Sequence, residues 1–96
     1  MPAISEFDRN PTVARTLTVT GTSSGVTLTA SCRRISILAT GAAMLFKIGT
    51  GAQTATATDH YIANGERLIM NINKGSSIAA IRHAATSGTL EISEFA

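Results

Sequence analysis

The chain has 96 residues, 44% of them hydrophobic and only 15% charged, with a formal net charge of +2. That length fits one domain and excludes two. Low charge with ordinary apolar content is the reverse of the disorder signature, so the chain is expected to fold. The slight net charge gives no ground for nucleic-acid binding.

The first eleven residues, Met1-Pro2-Ala3-Ile4-Ser5-Glu6-Phe7-Asp8-Arg9-Asn10-Pro11, hold both prolines, mixed charge and no periodicity. They read as an extended N-terminal arm, with Ile4 and Phe7 as side chains to bury on a neighbouring subunit. Residues 12–96 then form one domain. Thr16-Leu17-Thr18-Val19-Thr20 and Val26-Thr27-Leu28-Thr29-Ala30 alternate apolar and hydroxyl residues with period two, the pattern of half-buried strands. Gly21 and Gly25 bracket a short polar connection, so residues 15–31 are expected to form a β-hairpin. Their threonines, Thr16, Thr18, Thr20, Thr27 and Thr29, would share one uncharged face. Exposed sheets are commonly dotted with Lys and Glu that discourage edge pairing, and this face lacks them. Burial against another subunit explains it.

Arg34–Ala39 and Met44–Ile48 are further strands joined by a turn at Thr40-Gly41-Ala42. A Gly/Ala/Thr loop covers 49–58, with room for a short edge strand. Tyr61-Ile62 pairs briefly before Asn64-Gly65, a strong turn signal because both residues tolerate left-handed backbone angles. Leu68–Ile72, Ser77–Arg82 and Thr89–Ser93 complete the set. The Ala-rich stretch Ile78–Ala85 comes nearest to a helical pattern, but glycines bound it and a strand is preferred. Seven or eight short strands with frequent turns predict an all-β protein, an antiparallel β-sandwich or small barrel.

Chemistry-bearing groupings are sparse. The chain has one cysteine, Cys32, so no intramolecular disulfide can form, which fits folding in a reducing cytoplasm. No signal-peptide pattern or membrane-length apolar run occurs, and an intact soluble protein is expected. Asn10-Pro11-Thr12 fails as a glycosylation acceptor because proline occupies its middle position. His60 and His83 with Cys32 and six dispersed acids give no ligand spacing for zinc, so no metal is expected. Cys32 beside Arg33-Arg34 could form a lowered-pKa thiol, but its plainer reading is a small buried hydrophobe. No paired carboxylates suit glycoside hydrolysis. Gly49-Thr50-Gly51 leads into no helix and makes no phosphate cradle. No enzyme activity, cofactor, membrane contact or nucleic-acid partner is expected.

Two surface features remain. From Arg9 to Thr58 every charge is positive, namely Arg9, Arg15, Arg33, Arg34 and Lys47, which suits an acidic partner surface. Asp59, His60, Tyr61 and Asn64 form the best candidate ligand patch, of a kind a carbohydrate could use.

The stretch Phe46-Lys47-Ile48-Gly49, then Ala55-Thr56-Ala57-Thr58-Asp59-His60-Tyr61-Ile62-Ala63-Asn64-Gly65-Glu66-Arg67-Leu68, with Ser77-Ile78-Ala79-Ala80-Ile81-Arg82 and Ser87-Gly88-Thr89-Leu90-Glu91-Ile92-Ser93-Glu94, resembles small virion proteins of tailed bacteriophages. The likeness spans about residues 41–94 and is a pattern of strands and turns rather than a site signature. It implies a β-sandwich component of the virion, assembled in the host cytoplasm. The implied role is a capsid decoration (cement) or minor capsid protein, or an accessory piece of the head–tail or tail machinery. The implied partners are the major capsid protein or other virion proteins, with a homo-oligomer, by analogy a trimer, as the assembled form. Ile4, Phe7, Arg9, Arg15, Arg33 and Arg34 are then the expected interface residues. A carbohydrate-binding receptor module is the alternative from another class.

Overall fold

The computed structural model describes residues 11–95. Eight strands follow in chain order: β1 (Pro11–Val19), β2 (Ser24–Thr27), β3 (Arg34–Thr40), β4 (Met44–Thr50), β5 (His60–Ile62), β6 (Arg67–Asn71), β7 (Ser76–Arg82) and β8 (Gly88–Phe95). They form two four-stranded antiparallel sheets, one ordered β1-β8-β3-β6 and the other β2-β7-β4-β5. That order is a jelly-roll β-sandwich. The closed barrel is thereby excluded.

Every connection except β4–β5 passes from one sheet to the other. The expected hairpin over 15–31 is therefore not formed: β1 pairs with β8, and β2 pairs with β7. Alternation tells each strand which side chains to bury and is silent on which strand lies beside it. Strand β1 begins at Pro11 itself, so the arm expected over 1–11 gives its last residue to the sheet.

Layers of side chains facing inward make the core. In the first sheet Leu17, Leu90 and Ala39 stand in register, and Ile92, Ile37 and Leu68 form the next row. In the second, Val26, Ile78 and Ile48 align, followed by Ala80 beside Phe46 and by Met44 beside Ile62. Val19, Ile35, Ile37, Met44, Ile62, Ile78 and Leu90 are fully buried. At roughly 1.5–3 kcal/mol for each fully buried aliphatic side chain, these rows are the main stabilising term.

Strand β7 is buried on both faces. Ala79 points away from the core yet has no exposed surface, and Ser77, also outward, is nearly as enclosed. The cover comes from the 51–58 loop, which folds back over this sheet. The Ala55 N–H donates to Ser23 Oγ at 2.8 Å, and the Gln53 side chain bonds the Thr50 and Gly51 carbonyls. Gly25 and Gly49 leave room for it, since a Cβ on Gly49 would sit 2.8 Å from the Gln53 side chain. The loop holds no strand.

Candidate functional site

Three regions of the surface depart from a plain solvated sandwich. The first is the open edge between the sheets. Strand β5 has only three residues and pairs with Met44, Leu45 and Phe46. Beyond it, Lys47–Thr50 of β4 has no strand on that side among the described residues, and β6 is the outermost strand of its own sheet. The inward side chains there are left half-covered. The result is a hollow of about 450 Å³ lined by Phe46, Ile48, His60, Tyr61, Leu68 and Met70. A second hollow of about 340 Å³ continues it past Ile48 and Met70 to Ile72, Asn73 and Ser76. Together they make a groove along the β4–β6 edge, apolar beside β5 and more polar past Met70, where Asn71, Asn73 and Ser76 line it.

Aromatic rings close one end of that groove. His60 stands opposite Phe46 with ring centroids 5.6 Å apart. Tyr61, on the outward side of β5, meets His83 edge-on at 5.0 Å and remains 53% exposed. Of the expected ligand patch, only His60 and Tyr61 line the hollow. Asp59 is committed elsewhere, because its Oδ2 accepts from the Thr56 N–H at 2.7 Å and from the Thr56 hydroxyl at 3.2 Å. Asn64 lies exposed at the turn whose Gly65 adopts a left-handed φ of 85°.

The second region is the outer face of the β1-β8-β3-β6 sheet. Its rows run Ala14-Ser93-Ser36-Ile69, Thr16-Glu91-Leu38-Arg67 and Thr18-Thr89-Thr40. The single hydroxyl face expected from the first two strands is not present, since Thr27 lies on the opposite sheet. A different one is assembled from Thr16, Thr18, Ser36, Thr40, Thr89 and Ser93. Its charges in these rows are Glu91 and Arg67, and the Arg67 Nη1 donates to Ser36 Oγ at 2.5 Å. Ile69 is 46% exposed within it.

The third region is a buried ion pair at the end of the sandwich. Glu94 continues the inward row of Leu90 and Ile92, and its side chain is 1% exposed. Arg15 Nε donates to Glu94 Oε2, and the Thr29 N–H donates to Oε1 at 3.1 Å. Burial by itself would push the Glu94 carboxyl up. The bonds from Arg15 and Thr29 outweigh it and hold the carboxyl below the usual glutamate range. Cys32 lies beside it, buried, with its thiol donating to the Arg34 carbonyl at 3.4 Å. Burial first, and the Glu94 carboxylate after it, push that thiol up against the opposing backbone bond. Cys32 is a small core residue, as its plainer sequence reading holds.

The expected interface residues are thus dispersed. Ile4, Phe7 and Arg9 lie outside the described residues. Arg15 is engaged by Glu94, while Arg33 is exposed and Arg34 half-buried at a hollow shared with Asn71 and Ile72. Lys47 stands on the outer side of the opposite sheet, so the positive run does not build one face. Among the described residues no three His, Cys, Asp or Glu side chains gather as a metal-binding group. The groove residues Leu68, Met70 and Ile72 were read from sequence only as strand; the brevity of the Tyr61-Ile62 pairing was the signal that part of β4 lacks cover.

No protein-family model matches the chain, and no curated protein matches it. Among solved structures it is similar to one described as the crystal structure of PirA, at 17% identity and a TM-score of 0.57, covering 84% of this chain and 92% of that one. It is also similar to the solution structure of a de novo designed double-stranded β-helix, at 23% identity and a TM-score of 0.55, covering 86% of this chain and 99% of the designed one. At these identities the likeness concerns the fold alone.

Proposed function

We propose that the chain is a non-catalytic structural protein of a phage virion, a capsid decoration or minor capsid protein that binds and stabilises the assembled head. The observation that carries this reading is the outer face of the β1-β8-β3-β6 sheet. Hydroxyl side chains, Ala14 and a half-exposed Ile69 make up most of it, with Glu91 and Arg67 as the charges of its central rows. Such a face costs less to cover with a second protein surface than a charged one, provided its hydroxyls find hydrogen-bond partners there. The jelly roll adds a fold-level analogy, since that architecture recurs in viral capsid domains. The resemblance over residues 41–94 points the same way.

A decoration protein that binds only the assembled shell stabilises it by mass action. Closed symmetric clusters present the same face repeatedly, so a homo-oligomer, a trimer by preference, suits the role. Light scattering after size exclusion, together with co-sedimentation on empty capsids, tests both parts. Capsid-scale stoichiometry supports decoration. A dozen copies or fewer per particle would move the protein to the head–tail or tail machinery, and failure to sediment with any virion part would remove the reading. Exposed Tyr61 beside the groove favours a second reading, a glycan-binding receptor module. It requires glycan binding by the isolated protein that is lost in Tyr61→Ala.

A further inference from the structure

Each sheet of the sandwich has two edge strands, and an unpaired edge is a template for a strand of another chain unless something blunts it. Three of the four edges are blunted. Strands β2 and β5 have only four and three residues. Strand β1 opens on Pro11, shifts register between Pro11 and Val13, and turns the charged Arg15 inward to the buried Glu94. Strand β6 has none of these devices. It reads Arg67-Leu68-Ile69-Met70-Asn71, without proline or lysine, and pairs with β3 over all five residues with no shift in register. Its charged residue lies back over its own sheet, where Arg67 Nη1 reaches Ser36 Oγ. Leu68 and Met70, on the inward side, are only half-buried, and Ile69, on the outward side, is exposed.

The backbone of β6 is open as well. The Ile72 N–H donates to the Arg33 carbonyl at 2.8 Å, and the Glu66 carbonyl accepts from the Ala39 N–H at 3.2 Å. Antiparallel ladders alternate, so the even-numbered residues of β6 bond β3, while Arg67, Ile69 and Asn71 turn N–H and C=O to the free side. No strand meets them there among the described residues. A second β6 running the other way, with the two Ile69 residues opposite each other, presents the same three backbone groups. Arg67 of each copy then stands opposite Asn71 of the other, and every such pair exchanges both backbone hydrogen bonds. At the positions between, where side chains approach most closely, Leu68 meets Met70, so each copy covers the half-buried residues of the other. The charges suit this register. A two-fold axis through residue 67 would set arginine against arginine, and like charges directly opposite destabilise a sheet.

We propose that two copies of the chain pair through β6, antiparallel and about a two-fold axis at Ile69. The two β1-β8-β3-β6 sheets thereby become one continuous sheet with β6 beside β6 at its middle. The axis stands perpendicular to the sheet, so both hydroxyl faces turn the same way. The second copy supplies cover for Leu68 and Met70 that three-residue β5 leaves out. A five-residue edge is about 17 Å long, so the contact belongs to the small class, under about 1,200 Å² in total, whose association is weak and reversible. The pairing is a property of the free chain and does not rest on the virion reading. Where that reading prefers a trimer by analogy, this one gives a dimer.

Light scattering and sedimentation equilibrium of the full chain test it. Between about 10 µM and 1 mM the mass should rise from 9.9 kDa towards twice that value. Ile69→Pro removes an N–H that β3 does not use, which an edge strand tolerates, and should weaken the dimer at least about tenfold. A second measurement does not depend on that variant. Ile69→Cys, in a Cys32→Ser background, sets two thiols on a hydrogen-bonded pair with Cα atoms about 5.5 Å apart, within disulfide range, so mild oxidation should link the chains in pairs. Arg67→Cys in the same background should stay unlinked, since its two copies lie roughly 13 Å apart. A monomer at about 1 mM, a three-chain mass, or a dimer that Ile69→Pro leaves equally tight would overturn the pairing. Equal cross-linking at positions 67 and 69 would overturn it too.

Discussion

Glu94→Gln keeps the shape of a buried side chain and removes its charge. In the folded protein the carboxylate accepts hydrogen bonds from Arg15 and from the Thr29 backbone. Bonds to charged groups contribute about 1.5–3 kcal/mol each, and removing one member of a buried pair costs roughly 3–5 kcal/mol. Arg15 is 29% exposed and can recover water, and the glutamine oxygen can still accept from Thr29. The amide nitrogen, however, would face the guanidinium, donor against donor. The expected loss is about 2 kcal/mol at neutral pH, or roughly 8–16 °C in Tm for a domain of this size. Urea unfolding across pH isolates the charge. The folded carboxyl titrates below its unfolded value, so the unfolded chain binds the extra proton and stability rises with pH. This contribution is complete above the unfolded value of about 4.3 and disappears as pH falls through the folded one. The gap between the two proteins should therefore be full near pH 7 and close as the pH drops below about 4. A constant gap down to about pH 3, or a variant as stable as the wild type at pH 7, would refute the reasoning.

Gly88→Ala should cost about 2–3 kcal/mol, since its Cβ would meet the Thr40 carbonyl oxygen at 2.5 Å and the Ala42 nitrogen at 3.0 Å, neither able to yield; denaturant midpoints check this. Ala79→Leu places a large side chain under the 51–58 loop and should cost about 1–3 kcal/mol, with faster proteolysis inside that loop than elsewhere. Ile69→Lys should change stability by less than about 0.5 kcal/mol while abolishing co-sedimentation with capsids; unchanged sedimentation would remove the β1-β8-β3-β6 face from the contact.

Strand positions were legible in this sequence and strand partners were not. Leu17 and Val19, or Val26 and Leu28, alternate in the same way whether their strands pair with each other or sit in opposite sheets. The Gly21–Gly25 connection suits a hairpin locally, and tertiary packing against β8 and β7 overrides it. Strand β7 was the hardest to read, because Ser-Ser-Ile-Ala-Ala carries no alternation. A strand covered on both faces needs none, and its small residues are what the overlying loop requires. At the site, His60 and Tyr61 of the expected patch both line the hollow, whereas the sequence alone does not separate Asp59 from them. Its bonds to Thr56 depend on a turn that residue type alone does not reveal. Nothing in the sequence sets Glu94 apart from the other dispersed acids; only the β8 register carries it inward beside Ile35 and Val13.

The order in which the sheets fill has a bearing on how the chain reaches its native state. The seventh and eighth strands in chain order take central places: β8 between β1 and β3, β7 between β2 and β4. The first six strands lack their middle neighbours until these two are in place, so each sheet closes only when its own late strand joins. Folding therefore gains its cooperativity late, at the slow millisecond-to-second end of the range for non-local β topologies. Loss of β8 would take out the middle of a sheet rather than trim its border, and loss of β7 would do the same to the other.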